Sequence, residues 1–261
     1  MGIFKNFSAS TTWVIRILWV LIAVDVIAVV SGYFEFQLLV DIGNGTGSLG
    51  YDVSAAADSS DNRQRIVGII QVVLWLVAGI SILAWIRLAN KNARALGATD
   101  MEFTPNWAIG WYFIPVANLW KPYQAMAEIW RASGGSKSWK TESVPGILAI
   151  WWFVWLASNI FDRVVFRLTM KAEEIPELQN ASLAMMASDV ISVFLSLAFL
   201  EVVKDISRRQ MARWGVDHLR FRLRGATDDE ARGEGVVVHR PMSNGVSHGP
   251  EGRSLEPQRP M

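Results

Sequence analysis

Four polar side chains interrupt the four long apolar blocks of this chain: Asp25, Gln71, Asn159 and Ser192. At a rise of about 1.5 Å per residue, they lie ~18–22 Å from the block ends that carry most of the lysine and arginine. A carboxyl group among apolar side chains is costly unless it is protonated or paired. We therefore predict a shared polar network. It either takes up a proton or cation, or it joins the helices with Asp25 protonated, and the second role is favoured because such hydrogen bonds commonly hold bundles together.

Missing residue types exclude several other kinds of site. The sequence contains no cysteine, and its three histidines, His218, His239 and His248, all follow the last apolar block. This excludes disulfides, thiolate nucleophiles, iron–sulfur clusters and cysteine-ligated metals. It also excludes bis-histidine haem ligation, Ser–His catalysis and the HExxH zinc arrangement inside the membrane. We expect no catalytic residue, cofactor or resident metal.

The elements that must position the polar residues are membrane-spanning helices, each of which needs about 20 apolar residues. The four blocks cover residues 13–34, 66–89, 144–166 and 187–206. They predict an all-α membrane protein with four transmembrane helices in residues 1–206. Residues 207–261 are predicted to form a basic, largely disordered cytoplasmic tail, and the Gly-, Ser- and Asp-rich stretch 41–62 a flexible loop.

A fifth apolar stretch, residues 106–120, is too short to cross a bilayer. It contains Pro115 near its middle and is flanked by Pro105 and Pro122. Proline removes a backbone donor and clashes with the preceding helical turn, so a straight helix is not expected. We predict a re-entrant or interfacial segment over residues 105–131, between the second and third spans.

Lysine and arginine are distributed unevenly between the loops. Twelve lie on the side that carries both termini, and five lie on the opposite side. Since cytoplasmic loops carry the excess of positive charge, both termini are predicted to be cytoplasmic. That orientation needs an even number of crossings, which is a second reason to deny residues 106–120 a full crossing.

A basic cluster follows the last apolar block. Its members are Arg208, Arg209, Arg213, Arg220, Arg222 and Arg224. Basic residues next to a membrane bind anionic lipid headgroups at about 1 kcal/mol each, which favours lipid over nucleic acid as their partner. The expected partners are the bilayer, its anionic headgroups, and possible other membrane proteins or a second copy of the chain.

An ordered set of uncommon residues runs from the second span into the fifth apolar stretch and beyond it. The set is Trp85, Arg87, Asn90, Trp107, Gly110, Trp111, Pro115, Asn118, Pro122, Tyr123 and Trp130, the last of which begins the run Trp-Arg-Ala-Ser. It resembles the conserved part of a bacterial membrane family catalogued as domain of unknown function 4328, and with its flanking spans the likeness covers roughly residues 13–206. The resemblance implies a multi-pass protein of the bacterial plasma (inner) membrane, and it implies no activity.

The purpose of the prolines and asparagines in this set stays open at this point. Asn90 and Asn118 either line a small-molecule pocket or satisfy backbone groups that Pro115 leaves unpaired. For the whole chain, a non-catalytic scaffold, regulatory or assembly module is favoured, because the spans lack a charged path, a detectable inverted repeat and an imidazole relay. The alternatives are a small channel or transporter that uses Asp25, and a membrane enzyme acting on lipid-like substrates.

Overall fold

The computed structural model of the chain describes residues 8–45, 52–135 and 138–231. Within these ranges the protein is all-α, without a β-strand. Six helices follow one another: α1 Ser8–Gly43, α2 Val53–Ala95, α3 Trp107–Gly110, α4 Lys121–Ser133, α5 Gly146–Lys171 and α6 Ile175–Ala231. Short 3₁₀ turns lie at Trp111–Phe113, Ala117–Leu119 and Trp139–Thr141.

Four of the helices, α1, α2, α5 and α6, are long and apolar enough to cross a membrane. The predicted all-α membrane fold with four spans is therefore confirmed. Large apolar side chains on these helices face outward, with Trp75 and Ile80 each 70% exposed and Phe153 72% exposed. In water such exposure would be unfavourable, but hydrocarbon is an apolar solvent for it.

The first two helices are longer than the apolar blocks that predicted them. α1 continues to Gly43 and α2 already begins at Val53, so the prediction of a flexible loop is wrong for residues 41–43 and 53–62. The carboxylate of Asp52 caps α2 by accepting the backbone N–H groups of Ser54 and Ala55 at 3.0 and 3.2 Å. Such a cap offsets the low apolar content of the first turns. Residues 46–51 lie outside the described ranges.

Helices α1 and α2 are antiparallel, and polar pairs mark their register. Thr11 Oγ1 accepts a hydrogen bond from Trp85 Nε1 at 3.1 Å at one end, and Ser31 Oγ donates to Gln64 Oε1 at 3.3 Å towards the other. Helix α6 also runs antiparallel to α1. Ser207 Oγ lies 3.1 Å from Thr11 Oγ1, which brings α1, α2 and α6 together at this end.

The end that holds Thr11 and Trp85, here called the basic end, contains the best-packed core. Trp85, Ile86, Met126, Ile129 and Val203 are fully buried there. This core anchors the short helix α4 on α2 and α6.

Helix α6 extends well past the predicted span boundary at residue 206. Residues 207–231, which the sequence assigns to the tail, continue the helix to Ala231. Basic helix-forming residues prolong an existing helix at low cost, because its nucleus is already formed. The rest of the predicted disordered tail, residues 232–261, lies outside the described part of the chain.

Candidate functional site

A three-residue polar junction lies inside the bundle. Gln71 on α2 donates from Nε2 to Asp25 Oδ1 on α1 at 3.3 Å and to Asp189 Oδ1 on α6 at 2.9 Å. Asp25 is buried, with 7% of its surface exposed. One amide group therefore serves two carboxyl groups from two different helices.

The junction contains two of the four residues that the sequence analysis grouped. Asp25 and Gln71 are brought together as predicted. Ser192 and Asn159 line the cavity beside them. The amide of Asn159, however, donates to the Trp155 carbonyl one turn earlier on α5, at 2.7 Å, and so bonds within its own helix.

Two acidic residues of the site were not predicted. Asp189 completes the junction, and Asp162 on α5 accepts a short hydrogen bond from Ser188 Oγ beside it. Asp189 stands in a largely apolar stretch of sequence, as Asp25 does, whereas Asp162 is followed directly by Arg163. The rule that singled out Asp25, that a carboxyl well inside a span needs a partner, did not reach them because the predicted spans 144–166 and 187–206 place both near a span end.

A cavity of about 900 Å³ begins at the junction and extends towards the basic end. All four spans line it, together with Tyr112, Phe113 and Asn118 of the segment between α2 and α4. The edge of Tyr112 packs on Trp155, with ring centroids 6.2 Å apart. Since Trp155 precedes Asp162 by seven residues on α5, the cavity covers about two helical turns, or ~10 Å.

A second cavity, of about 340 Å³, begins on the other side of the junction. Glu35 of α1 and Gln64 of α2 line it, and both lie farther from the basic end than the junction does. Gln71, Asp162 and Asp189 line both cavities. The junction is therefore the partition between two spaces that extend towards opposite ends of the bundle.

The charged groups that line the two cavities are all of one sign. Among the described lining residues, four are carboxylic acids, and none is lysine, arginine or histidine. The acids are Glu35, Asp25, Asp162 and Asp189. Such a lining attracts cations and disfavours anions. Across residues 8–45, 52–135 and 138–231, no group of three or more acids and histidines is arranged to hold a metal ion.

Part of the wall of the larger cavity is aromatic. Trp151 and Phe199 contribute to it, with ring centroids 5.1 Å apart, and Trp155 stacks on its neighbour Trp152 at 4.7 Å. The phenolic oxygen of Tyr112 is buried at this wall and has no hydrogen-bond partner in the described part of the protein. A buried hydroxyl without a partner is costly, because it has lost its hydrogen bond to water and gained none in return.

The segment between α2 and α4 is a hairpin that starts and finishes at the basic end. The carboxylate of Glu128 on α4 accepts the backbone N–H groups of Glu102, at 2.5 Å, and of Phe103, at 3.0 Å. Lys121 pairs with Glu102 at 3.3 Å. Because its two flanks contact each other, residues 106–120 return to the end from which they start, as a re-entrant segment must. Burial raises the pKa of the Glu128 carboxyl above its ordinary value, while its two backbone donors act in the opposite direction.

The two asparagines that the sequence left open have different roles. Asn90 donates from Nδ2 to the Phe103 carbonyl at 2.9 Å, and Arg94 Nη2 donates to the same oxygen at 2.9 Å. Asn90 therefore satisfies the backbone of the hairpin. Asn118 lies near the tip and lines the larger cavity.

The other residues of the family-like set hold the hairpin together or attach it to the bundle. Arg87 Nε donates to Asn106 Oδ1 at 2.9 Å, and the rings of Trp107 and Trp111 lie 4.9 Å apart. Gly110 leaves room for the Trp107 ring, which a Cβ atom would approach to 3.2 Å. Pro115 stands at the turn before Val116, whose φ is +68°. Pro122 is in the first turn of α4 and is buried, and Tyr123 packs on the core.

The basic cluster divides into residues with different surroundings. Arg209 lies 3.7 Å above the Trp130 ring and donates to Glu142 Oε2 at 2.6 Å, so it is held by the protein instead of being free for a headgroup. This differs from the prediction, because carboxylate and ring together compensate its charge. Arg208 is 73% exposed and 3.6 Å from Asp205. Arg213 lies beside Gly135. Arg220, Arg222 and Arg224 belong to α6, and their side chains are outside the described part.

A comparison with protein families identifies the chain. The family model described as "Domain of unknown function (DUF4328)" matches residues 52–208, which is more than half of the sequence. The chain therefore belongs to this family, as the set from Trp85 to Trp130 predicted. No curated protein and no solved structure matches it.

Proposed function

We propose that this member of the DUF4328 family is a small membrane transporter that exchanges a cationic solute for protons at the junction of Asp25, Gln71 and Asp189. The observation that carries the proposal is the position of the junction. One amide group and two carboxyl groups stand where two cavities meet that extend towards opposite ends of the bundle.

Charge balance supports the exchange. Two carboxyl groups share the single donor of Gln71, and the described cavity linings hold no basic side chain that neutralises them. Uncompensated charge is expensive at this depth, so a proton or a bound cation must supply the positive charge. A cation that arrives displaces a proton, and a proton that returns displaces the cation.

The scaffold hypothesis that the sequence favoured explains less of the geometry. Interhelical hydrogen bonding accounts for the bonds of Gln71. It gives no reason for acid-lined spaces on both sides of the junction, or for the unbonded hydroxyl of Tyr112. Transport accounts for the bonds of Gln71 and for the acid-lined spaces together.

Orientation and membrane partners are part of the proposal. The excess of lysine and arginine at the basic end supports a cytoplasmic location for that end and for both termini, in a bacterial plasma membrane. The larger cavity then extends towards the cytoplasm and the smaller one towards the periplasm. The exposed Arg208 is the described residue best placed to contact an anionic headgroup.

The proposal is tested with purified protein in sealed vesicles that contain a pH-sensitive dye. We expect an inward gradient of an organic cation to drive protons outward faster than in empty vesicles. Asp189→Asn keeps the side-chain size and should abolish this flux. Glu201→Gln is the matched control, because Glu201 is an exposed carboxyl on the same helix, paired with Lys204 at 2.8 Å. Wild-type vesicles without any protein-dependent cation or proton flux would remove the transport function.

A further inference from the structure

We infer that the larger cavity binds an amphipathic organic cation whose charge lies at the junction and whose body lies on the aromatic wall, with a hydrogen-bonding group at its far end beside Tyr112. This inference rests on the proposed transport function and adds the class of substrate.

The size and lining of the cavity exclude a bare metal ion as the main occupant. Cavities of about 300–1,000 Å³ suit drug-sized organic molecules, and this one measures about 900 Å³. Inorganic cations such as Ca²⁺ need six to eight oxygen ligands around a small volume. Here the carboxyl groups lie at one end only, and the remaining wall is largely apolar, with Trp151, Trp155 and Phe199 among its residues.

Aromatic rings and carboxylates together recognise an organic cation. The faces of tryptophan and tyrosine attract ammonium groups within about 6 Å of the ring centroid. The rings of Tyr112 and Trp155 both line the cavity between the hairpin and the junction, with an interplanar angle of 86°. Asp25 and Asp189 add negative charge to the site. A cation needs that charge for binding, whereas a neutral or anionic molecule of equal size does not.

Tyr112 provides an observation independent of the acids. Its phenolic oxygen is buried at the cavity and unbonded within the described residues, so a ligand that reaches it gains a hydrogen bond that no protein group takes. Tyr112 belongs to the hairpin, which lines the cavity at the end away from the acids. The ligand therefore carries a polar group at the end opposite to its charge.

The cavity also borders on the bilayer, which favours an amphipathic molecule over a strongly hydrated one. Val72, Trp75 and Leu76 of α2 line it, yet they are 60, 70 and 52% exposed. Because these side chains face both the cavity and the lipid, the apolar part of a ligand can enter between them from the membrane. A molecule that dissolves in the bilayer reaches this site without crossing an aqueous path.

The test measures equilibrium binding to the full-length protein in lipid nanodiscs, with empty nanodiscs subtracted. Tetraphenylphosphonium and tetraphenylborate have the same shape and opposite charge. We expect the cation to bind at least about tenfold more tightly than the anion. Asp189→Asn should remove that preference, and thermal unfolding of the variant checks that it is folded. Equal binding of the two ions to the wild type would overturn the inference.

A second pair of probes tests the far end of the ligand. A phenylalkyl-trimethylammonium ion is compared with its analogue that carries a terminal hydroxyl group. Tyr112→Phe should weaken the binding of the hydroxylated probe about three- to tenfold, since one hydrogen bond is lost, and should leave the binding of the plain probe unchanged. Equal effects on both probes would contradict the role of Tyr112.

The inference and the proposed function fail in different ways. Flux that depends on Asp189 without selective binding of the organic cations would overturn the substrate class and leave transport in place. Selective, Asp189-dependent binding without flux would overturn transport and leave the cation site in place.

Discussion

Gln71 and Asp189 are 118 residues apart in the sequence and are joined by a 2.9 Å hydrogen bond from Nε2 to Oδ1. The same nitrogen lies 3.3 Å from Asp25 Oδ1. This contact connects α2 and α6 at the level where the two cavities meet. Its loss would both loosen the bundle and join the cavities.

We expect Gln71→Leu to lower the free energy of unfolding by about 1–3 kcal/mol, because the buried carboxyl group of Asp25 and the half-buried one of Asp189 lose their donor. Gln37→Leu is the control, since Gln37 is an exposed glutamine on α1. The difference between the two variants is measured by thermal unfolding in the same detergent. Equal unfolding temperatures for the two variants would mean that the hydrogen bonds of Gln71 do not hold the helices together.

The topology predicts on which side of the membrane introduced cysteines react. The chain has no cysteine, so each single variant gives a clean signal. Thr99→Cys and Lys140→Cys flank the hairpin at exposed positions, and Ser54→Cys lies at the start of α2. An impermeant thiol reagent added outside intact cells should label only Ser54→Cys. Labelling of Lys140→Cys from outside, with Thr99→Cys protected, would mean that residues 106–120 cross the membrane.

Glu128 predicts a pH dependence of the stability of the hairpin. Its pKa in the folded protein is raised, chiefly by burial. A carboxyl with a raised pKa favours folding while it is protonated, so this contribution is present at low pH and is lost as the pH rises through the raised value. As the pH rises through this raised pKa, the unfolding temperature of the wild type should therefore fall, and that of Glu128→Gln should not. A wild-type profile parallel to that of Glu128→Gln would contradict the role of burial.

Arg209 and Arg208 are neighbours that should respond differently to mutation. Arg209 contacts the Trp130 ring and Glu142, so Arg209→Ala should destabilise the protein by about 1–3 kcal/mol. Arg208 is exposed, and Arg208→Ala should change stability by less than about 0.5 kcal/mol. Thermal unfolding of the two variants, measured side by side, tests this difference. A larger loss for Arg208→Ala would reverse the assignment.

The sequence predicted the part of the site that depends only on the rise per residue along the helices. Asp25 and Gln71 meet because their distances along two antiparallel helices match. Asn159 has a similar depth, but depth says nothing about where a side chain points, and its amide bonds to the preceding turn. Asp189 was missed because a span boundary at residue 187 puts it in the first turn, within reach of headgroups. Since α6 begins at Ile175, Asp189 lies about four turns inside the helix.

The extension of α1 and α2 was missed for a related reason. Apolar content reports the part of a helix that lies in hydrocarbon, whereas helix ends are determined by caps and by polar contacts between helices. Asp52 caps α2, whereas the composition of residues 41–62 predicted a flexible loop there. The bond from Gln64 Nε2 to Glu35 Oε2, at 2.8 Å, needed the packed pair of helices to be recognised.

The measurement that tests the transport function most directly compares two variants of Asp25 for stability and for flux. Asp25→Asn keeps the size and hydrogen bonding of the side chain but removes its titratable proton, while Asp25→Leu removes both properties. We predict that Asp25→Asn unfolds at nearly the wild-type temperature and has lost cation-driven proton flux in vesicles, and that Asp25→Leu is impaired in both. Undiminished flux in vesicles that contain Asp25→Asn would contradict this, because proton exchange would then not use the carboxyl at the junction.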